Sequence, residues 1–293
     1  MSYVGSVVTT VAINMISVLA AYIVTGLGGM FSMGTASFML IGAYASGMLC
    51  VSFGINLWLG IIIGMAIGMG FAFLIGTPVV KLRMDYIALI TFGFGEAIVA
   101  FINNTNNITG GAQGLSGISK ETTLPIALIA LGIVIFITYG YSKSKFGRQS
   151  LAIKNNPLAA AAMGVNVNRV KLLAFVLSGG IAALSGVLYI YNTTFIDPSG
   201  FGWLTTAGWI IIVFVGGINS LTGAICTGAI LSVLPEVLRS AGELRTIIYC
   251  IVVLVIVNFR PQGLFGQKEF SIKGIANWFK NRAKKKFEER DEA

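Results

Sequence analysis

Apolar runs about as long as a bilayer is thick alternate with short polar stretches along almost the whole of this chain. A membrane-crossing helix needs roughly 20 consecutive apolar residues. Runs near that length occupy 4–25, 29–48, 57–80, 86–102, 124–141 and 172–191. Three shorter ones follow at 203–215, 221–237 and 246–259. The first two of these are joined by Gly216, Gly217, Ile218, Asn219 and Ser220, and they read either as two short crossings or as one re-entrant pair. The pattern predicts an all-α, polytopic integral membrane helical bundle with about 8–9 transmembrane segments, some of them broken by glycine.

Within the runs, small residues recur at helical spacing. Gly60, Gly64, Gly68, Ala72 and Gly76 fall every fourth residue. Side chains four apart share one helix face, so these positions predict a smooth stripe for a close helix crossing. Ser178, Ala182 and Gly186 predict a second seam of the same kind. The 29–48 run is dense in Gly, Ser, Thr and Ala, which suits either packing or contact with a polar solute.

Composition agrees with the pattern. Of 293 residues 56% are hydrophobic and 11% charged, against roughly 25% charged in a soluble domain. The formal charge is +9, and it concentrates in two places. The loop 142–171 carries Lys143, Lys145, Arg148, Lys154, Arg169 and Lys171 with no Asp or Glu. Lys and Arg are retained on the cytoplasmic side during insertion, so this loop and the basic tail 268–293 mark the inside. The charge therefore points to topology and anionic lipid, with no nucleic acid among the expected partners. Orientation follows: amino terminus outside, carboxyl terminus cytoplasmic, with the polar stretch 103–123 as the main external loop. The amino terminus lacks a basic leader, so an uncleaved first span is expected rather than a signal peptide.

Within the basic loop, Asn155 or Asn156 can cap a short helix with Pro157 in its first turn. Leu158 to Met163 forms that Ala-rich helix, and Gly164 is placed to end it. It reads as a linker or as a small-residue projection that enters a partner's groove. In the tail, Ile272, Ile275 and Phe279 share a helical face, which suits a helix on the inner leaflet or a solvated extension.

The chemistry of catalysis is missing from the chain. No G-x-x-x-x-G-K-[ST] loop is present for ATP phosphates. With no His, Ser–His–Asp and Cys–His arrangements are excluded. Cys50, Cys226 and Cys250 show no metal-ligand spacing, and no cofactor is expected. The chain is not expected to be an enzyme. Glu96, inside an apolar run, is either a functional, water-lined carboxylate or one near an aqueous edge.

Several stretches carry a family resemblance: GGMFSMGTASFMLIGAY at 28–44, TFGFGE at 91–96 and ITGGAQGL at 108–115. They continue with FGRQSLAIKNNPLAAAAMGVNV at 146–167, KLLAFVLSGGIAALSGVLY at 171–189, GGINSLTGA at 216–224 and RPQGLFG at 260–266. In this order and spacing they resemble the M-type permease subunit of bacterial ABC importers for leucine, isoleucine and valine. The resemblance covers nearly everything before the tail.

It implies a permease domain over 1–267 in the cytoplasmic (inner) membrane. It also implies a second homologous permease, two cytoplasmic ATPase subunits and an extracytoplasmic substrate-binding protein as partners. Asn155, Asn156, Pro157, Leu158, Ala159, Ala160, Ala161, Ala162, Met163 and Gly164 then correspond to the helix that couples to the ATPase. The family's acidic character just before the Ala pair is replaced here by Asn156, Pro157 and Leu158, so no salt bridge to the ATPase is implied at this point. Ser32, Thr35, Ser37, Thr91, Glu96, Thr109 and Gln113 are the candidates for the translocation path. Related permeases for urea or amides, other amino acids or nucleosides, and a stand-alone secondary transporter, are the alternative functions. The tail is expected to add membrane-surface contact only: truncation after Gln267 should leave uptake near its full rate in normally inserted protein, measured in whole cells.

Overall fold

The computed structural model describes residues 3–237, 244–260 and 263–264. The tail 268–293 and most of the charged turn before the last helix lie outside the described residues. The chain starts with α1 (Tyr3–Ala21), which runs on through a π-helical turn (Tyr22–Leu27). An irregular segment, 28–34, leads to α2 (Thr35–Phe53), α3 (Leu57–Val79) and α4 (Met84–Asn104). The long loop that follows holds α5 (Asn106–Thr109), a 3-10 turn (Gly111–Gln113) and β1 (Leu115–Ser116). Then come α6 (Leu124–Lys143), α7 (Lys145–Asn155), α8 (Pro157–Ala162) and α9 (Val167–Thr193). After β2 (Phe195–Ile196) and a 3-10 turn (Pro198–Phe201) the chain finishes with α10 (Trp203–Gly216), α11 (Leu221–Val237) and α12 (Leu244–Phe259).

Among the described residues, seven helical stretches are long and apolar enough to cross a membrane, and α11 and α12 are apolar but shorter. The expected fold class is the one observed. One boundary differs: the 29–48 run does not form a helix from its start, because the backbone stays irregular to Gly34. A two-residue antiparallel ribbon, Leu115 opposite Ile196 and Ser116 opposite Phe195, also lay outside the sequence reading.

α9 is the central post. Some 78% of its apolar window is buried, as is that of the first span, against 22% for α4 and α6. The outer helices thus present apolar side chains such as Phe101, Ile129 and Phe136 to lipid. The small-residue stripe of α3 is buried along its length and packs on α9. Gly60 faces Tyr191, Gly64 faces Val187, and Gly76 faces Leu172 and Phe175, so α3 runs antiparallel to α9. α2 runs parallel to it, with Gly42 against Ala183 and Gly47 against Ile190. On its third side α9 meets α1 through hydroxyls: Ser17 Oγ to Ser185 Oγ at 2.8 Å, and Ser178 Oγ to the Ala20 carbonyl at 2.7 Å. Such pairs hold helices together where apolar burial alone gives no preference over lipid.

At one end of the bundle lies the ribbon, next to Glu121, which accepts from the Leu57 amide at 2.7 Å and so caps α3. The other end holds α7 and α8, the end of the first span and the α10–α11 turn. There Ser144 caps α7, accepting from the Gly147 amide. Asn156 caps α8, accepting from the amides of Leu158 at 3.1 Å and Ala159 at 3.0 Å. Gly164 has φ +81, the left-handed turn that closes the helix. Of the two candidate caps Asn156 is the one used; Asn155 is the last residue of α7, a helix that the charged stretch does not announce in sequence.

The tightest crossing is at Gly186, where an added Cβ would overlap the Met39 carbonyl oxygen, an atom on a helix backbone that cannot swing aside. Gly70 has open space around it. Overpacking a filled core costs about 1–3 kcal/mol or more. Gly186→Val should therefore lower the midpoint of thermal unfolding in detergent sharply, while Gly70→Ala leaves it unchanged or slightly higher.

Candidate functional site

The break between the first two spans generates the site. A helix that starts inside a membrane exposes its first amides, and lipid offers them no acceptor. The π-helical turn delivers the chain to this break: the Gly28 amide reaches back to the Ile23 carbonyl at 2.9 Å and Met30 to Val24 at 3.0 Å. π-turns of this kind recur at functional positions in helices. Past it, the chain's donors are met by other helices. The Met33 amide gives to Thr91 Oγ1 on α4 at 3.0 Å. The Ala36 amide, in the first turn of α2, gives to Thr206 Oγ1 on α10 at 2.9 Å.

α10 has the same need and meets it in the same way. Its N-cap, Gly202, has no side chain to supply, and Glu96 Oε1 on α4 accepts from the Trp203 amide at 3.2 Å. A carboxylate there also meets the positive end of the helix dipole. The rings of Phe92 and Trp203 meet edge-on beside it, centroids 6.1 Å apart. Thus α2, α4 and α10 share a junction in which each short helix is capped by a neighbour.

Five of the sequence candidates gather at this junction. Ser32, Thr35, Ser37 and Thr91 are buried, Ser37 packs against Gly95, and Glu96 is half-buried at the start of α10. Glu96 thus caps the start of α10, a role its sequence context does not reveal. Thr109 and Gln113 stand apart, at the ribbon end of α4. Thr109 Oγ1 donates to the carbonyls of Ile102 and Thr105 and is buried, while Gln113 is exposed.

Two hollows flank the junction. A cavity of about 870 Å³ lies among α1, α10, α11 and α12, lined in part by Asn14, Thr205, Trp209, Glu236 and Tyr249. A groove of about 520 Å³ is lined by Met33, Asp85, Ala88, Leu89, Phe92 and Trp203. The first turn of α10 separates them: Trp203 faces the groove, Thr205 the cavity, and Thr206 the junction. None of the seven candidate path residues lines either hollow. The residues that do, and Thr206 with them, were missed. Paired hydroxyls Thr205 and Thr206 opening a short, Gly-bounded helix were the available signal.

A second missed residue is Lys154, in the last turn of α7. Its Nζ donates to the Gly26 carbonyl at 2.7 Å, to Asn219 Oδ1 at 2.6 Å and, more weakly, to the Ile218 carbonyl at 3.5 Å. Burial pushes its ammonium down to about 8, so the charged form still prevails at pH 7. No sequence signal separates it from the solvated cations around it. In the segment 155–164 nine of the ten residues are exposed and Ala160 alone turns inward, against Ile153 and Val170.

Many apolar helices, with first-turn amides of α2 and α10 met by side chains of other helices, make this the architecture of a multi-pass membrane protein. Residues 3–257 match the family of the permease component of the branched-chain amino acid transport system, and the chain belongs to that family. It is 27% identical to the high-affinity branched-chain amino acid transport system permease protein LivM of Salmonella typhimurium and to that of Escherichia coli K12. Each alignment covers 88% of this chain and 69% of the relative. It is also 25% identical to a probable branched-chain amino acid transport permease LivH of Methanocaldococcus jannaschii, over 78% of this chain and 81% of that one. No solved structure matches.

Removing the carboxylate that caps α10 tests the junction. Replacing an N-terminal cap by Ala costs about 1 kcal/mol. Glu96→Ala should lower thermal stability by that order, and Glu96→Gln, which keeps an acceptor oxygen, by clearly less, as read from unfolding midpoints in detergent.

Proposed function

We propose that this chain is the transmembrane permease subunit of an ABC importer, carrying leucine, isoleucine or valine, with ATP hydrolysed on separate cytoplasmic subunits. The observation that carries the reading, beside family membership, is α8. Leu158 is 82% exposed and Met163 85%, on a segment at the basic-loop end rather than on a lipid-facing helix. Large apolar side chains left open outside the membrane call for a protein partner.

By the distribution of Lys and Arg, the basic-loop end is cytoplasmic. The first span then starts outside and α12 ends inside. The permease unit is 1–267, with the basic tail as an appendage on the inner leaflet. A second homologous permease completes the path, and an external binding protein delivers the solute. ATP binding closes the ATPases and carries α8 with them, which shifts the membrane helices from one access state to the other. In this cycle the first turn of α10, between cavity and groove, is the element placed to open one side and close the other. The chain itself supplies pathway and switch, not catalysis.

Purification of the tagged chain from its native membrane tests the class: a second permease and Walker-type ATPases should be recovered in stoichiometric amounts. Recovery of the chain alone, with uptake that survives loss of the ATPases, would mean a secondary transporter. At the proposed docking face, full burial of a Leu or Met side chain is worth about 1.5–3 kcal/mol. Leu158→Glu with Met163→Glu should therefore cut leucine uptake about tenfold or more, with membrane insertion unchanged. Bulky residues at Ala160 would instead disturb the packing of α7, α8 and α9 on one another.

A further inference from the structure

Lys154 lies two residues before the Asn156 that caps α8, yet its side chain turns the other way, into the membrane end of the bundle. Its ammonium bridges the end of the first span at Gly26 and the α10–α11 turn at Ile218 and Asn219. Its stem lies on Gly29, whose φ of +63 and missing side chain permit the approach: a Cβ there would stand 2.8 Å from both Cβ and Cγ of Lys154. A cation is favoured at such carbonyls, because they are the open acceptors of a helix that has just ended.

Around it, Ile153, Ala160 and Val170 pack together and join α7, α8 and the start of α9 into one unit. On the far side, Gly29 is the second residue of the irregular segment 28–34, which passes to Met33 on Thr91 and then to Ala36 on Thr206. A displacement of α8 therefore has a short physical route: through Lys154 to Gly26 and Gly29, along 28–34, to the bonds that tie the start of α2 to α4 and α10.

We propose that Lys154 is a positioning residue, the latch through which movement of α8 is passed to the broken segment 28–34 and the junction beyond it. The proposal rests on the importer reading, since it takes the ATPase to be what moves α8. It assigns the α10–α11 turn to the same mechanical unit, so the cytoplasmic end of the helix between cavity and groove is pulled together with the start of α2.

Hydrogen–deuterium exchange on the full chain in complex with its ATPases tests the latch without need of a substrate. In wild type, ATP with vanadate should change exchange both in α8 and in 28–34. In Lys154→Met the change in α8 should persist and that in 28–34 be lost. Lys154→Arg, which keeps a cation, should restore it at least in part. Asn219→Ala, which removes an acceptor without touching α7, should weaken it. A Lys154→Met complex in which both segments respond as in wild type overturns the latch. So does loss of both responses, because Lys154 would then only hold the docking helix in place. Failure of the wild-type chain to recover ATPases, or a wild-type α8 indifferent to them, overturns the importer reading itself, whatever the variants do.

Discussion

A peptide group inside a bilayer must find its partner within the protein, and here the chain leaves helical geometry at 28–34, between the first two spans. The cost of an unmet buried donor is about 1–3 kcal/mol, so the break can exist only where something else supplies acceptors. Here Thr91, Thr206 and Glu96 supply them, each from a helix other than the one that needs it. The junction of α2, α4 and α10 is the consequence. It ties three helices at points that are polar, directional and few. Hydrogen bonds of this sort can be exchanged for others at small cost, whereas a packed apolar seam cannot slide by half a side chain.

The rest of the bundle supplies the contrast. α9, α2 and α3 meet through glycine and alanine, close enough that an added methyl has no room at several positions. With lipid as apolar as the side chains, that intimacy, together with the serine contacts to α1, is what makes the core cohere. In the proposed importer cycle the packed post keeps its arrangement while the hydrogen-bonded junction changes partners.

The two ends of the molecule differ in the same spirit. At the ribbon end, backbone and side-chain bonds close the loops onto the helices, as where Glu121 caps α3 and the Glu121 and Thr122 amides reach the Tyr191 carbonyl. At the basic-loop end, α8 stands out with its apolar side chains open, while Lys154 reaches back into the membrane helices. In the importer proposed here, the first arrangement suits a fixed mouth and the second a lever.

Much of this was legible in one dimension. Runs of apolar residues reveal crossings because the bilayer's thickness is fixed, and the four-residue glycine rhythm of α3 reveals a seam because helix geometry is fixed. A cap at Asn155 or Asn156, Pro157 in the first turn and Gly164 at the stop could be read for the same local reason, and the structure uses Asn156. Among the candidate path residues, Ser32, Thr35, Ser37, Thr91 and Glu96 did fall together. Their role as scaffolding of a junction did not show, nor did the hollows beside it. Those depend on pairings across great distances in the chain: Ala36 with Thr206, 170 residues apart, Glu96 with Trp203, 107 apart, and Lys154 with Gly26, 128 apart. The sequence by itself determined which segments are long and apolar enough to cross a membrane, which face of α3 is smooth and, to within a residue, where α8 lies, since each follows from neighbours within a turn or two. Only the tertiary structure decided where the first span gives way to an irregular segment, which hydroxyl or carboxylate answers each open amide, and which of the loop's six basic residues reaches back into the bundle, because a hydrogen bond is satisfied by whatever atom the fold brings near.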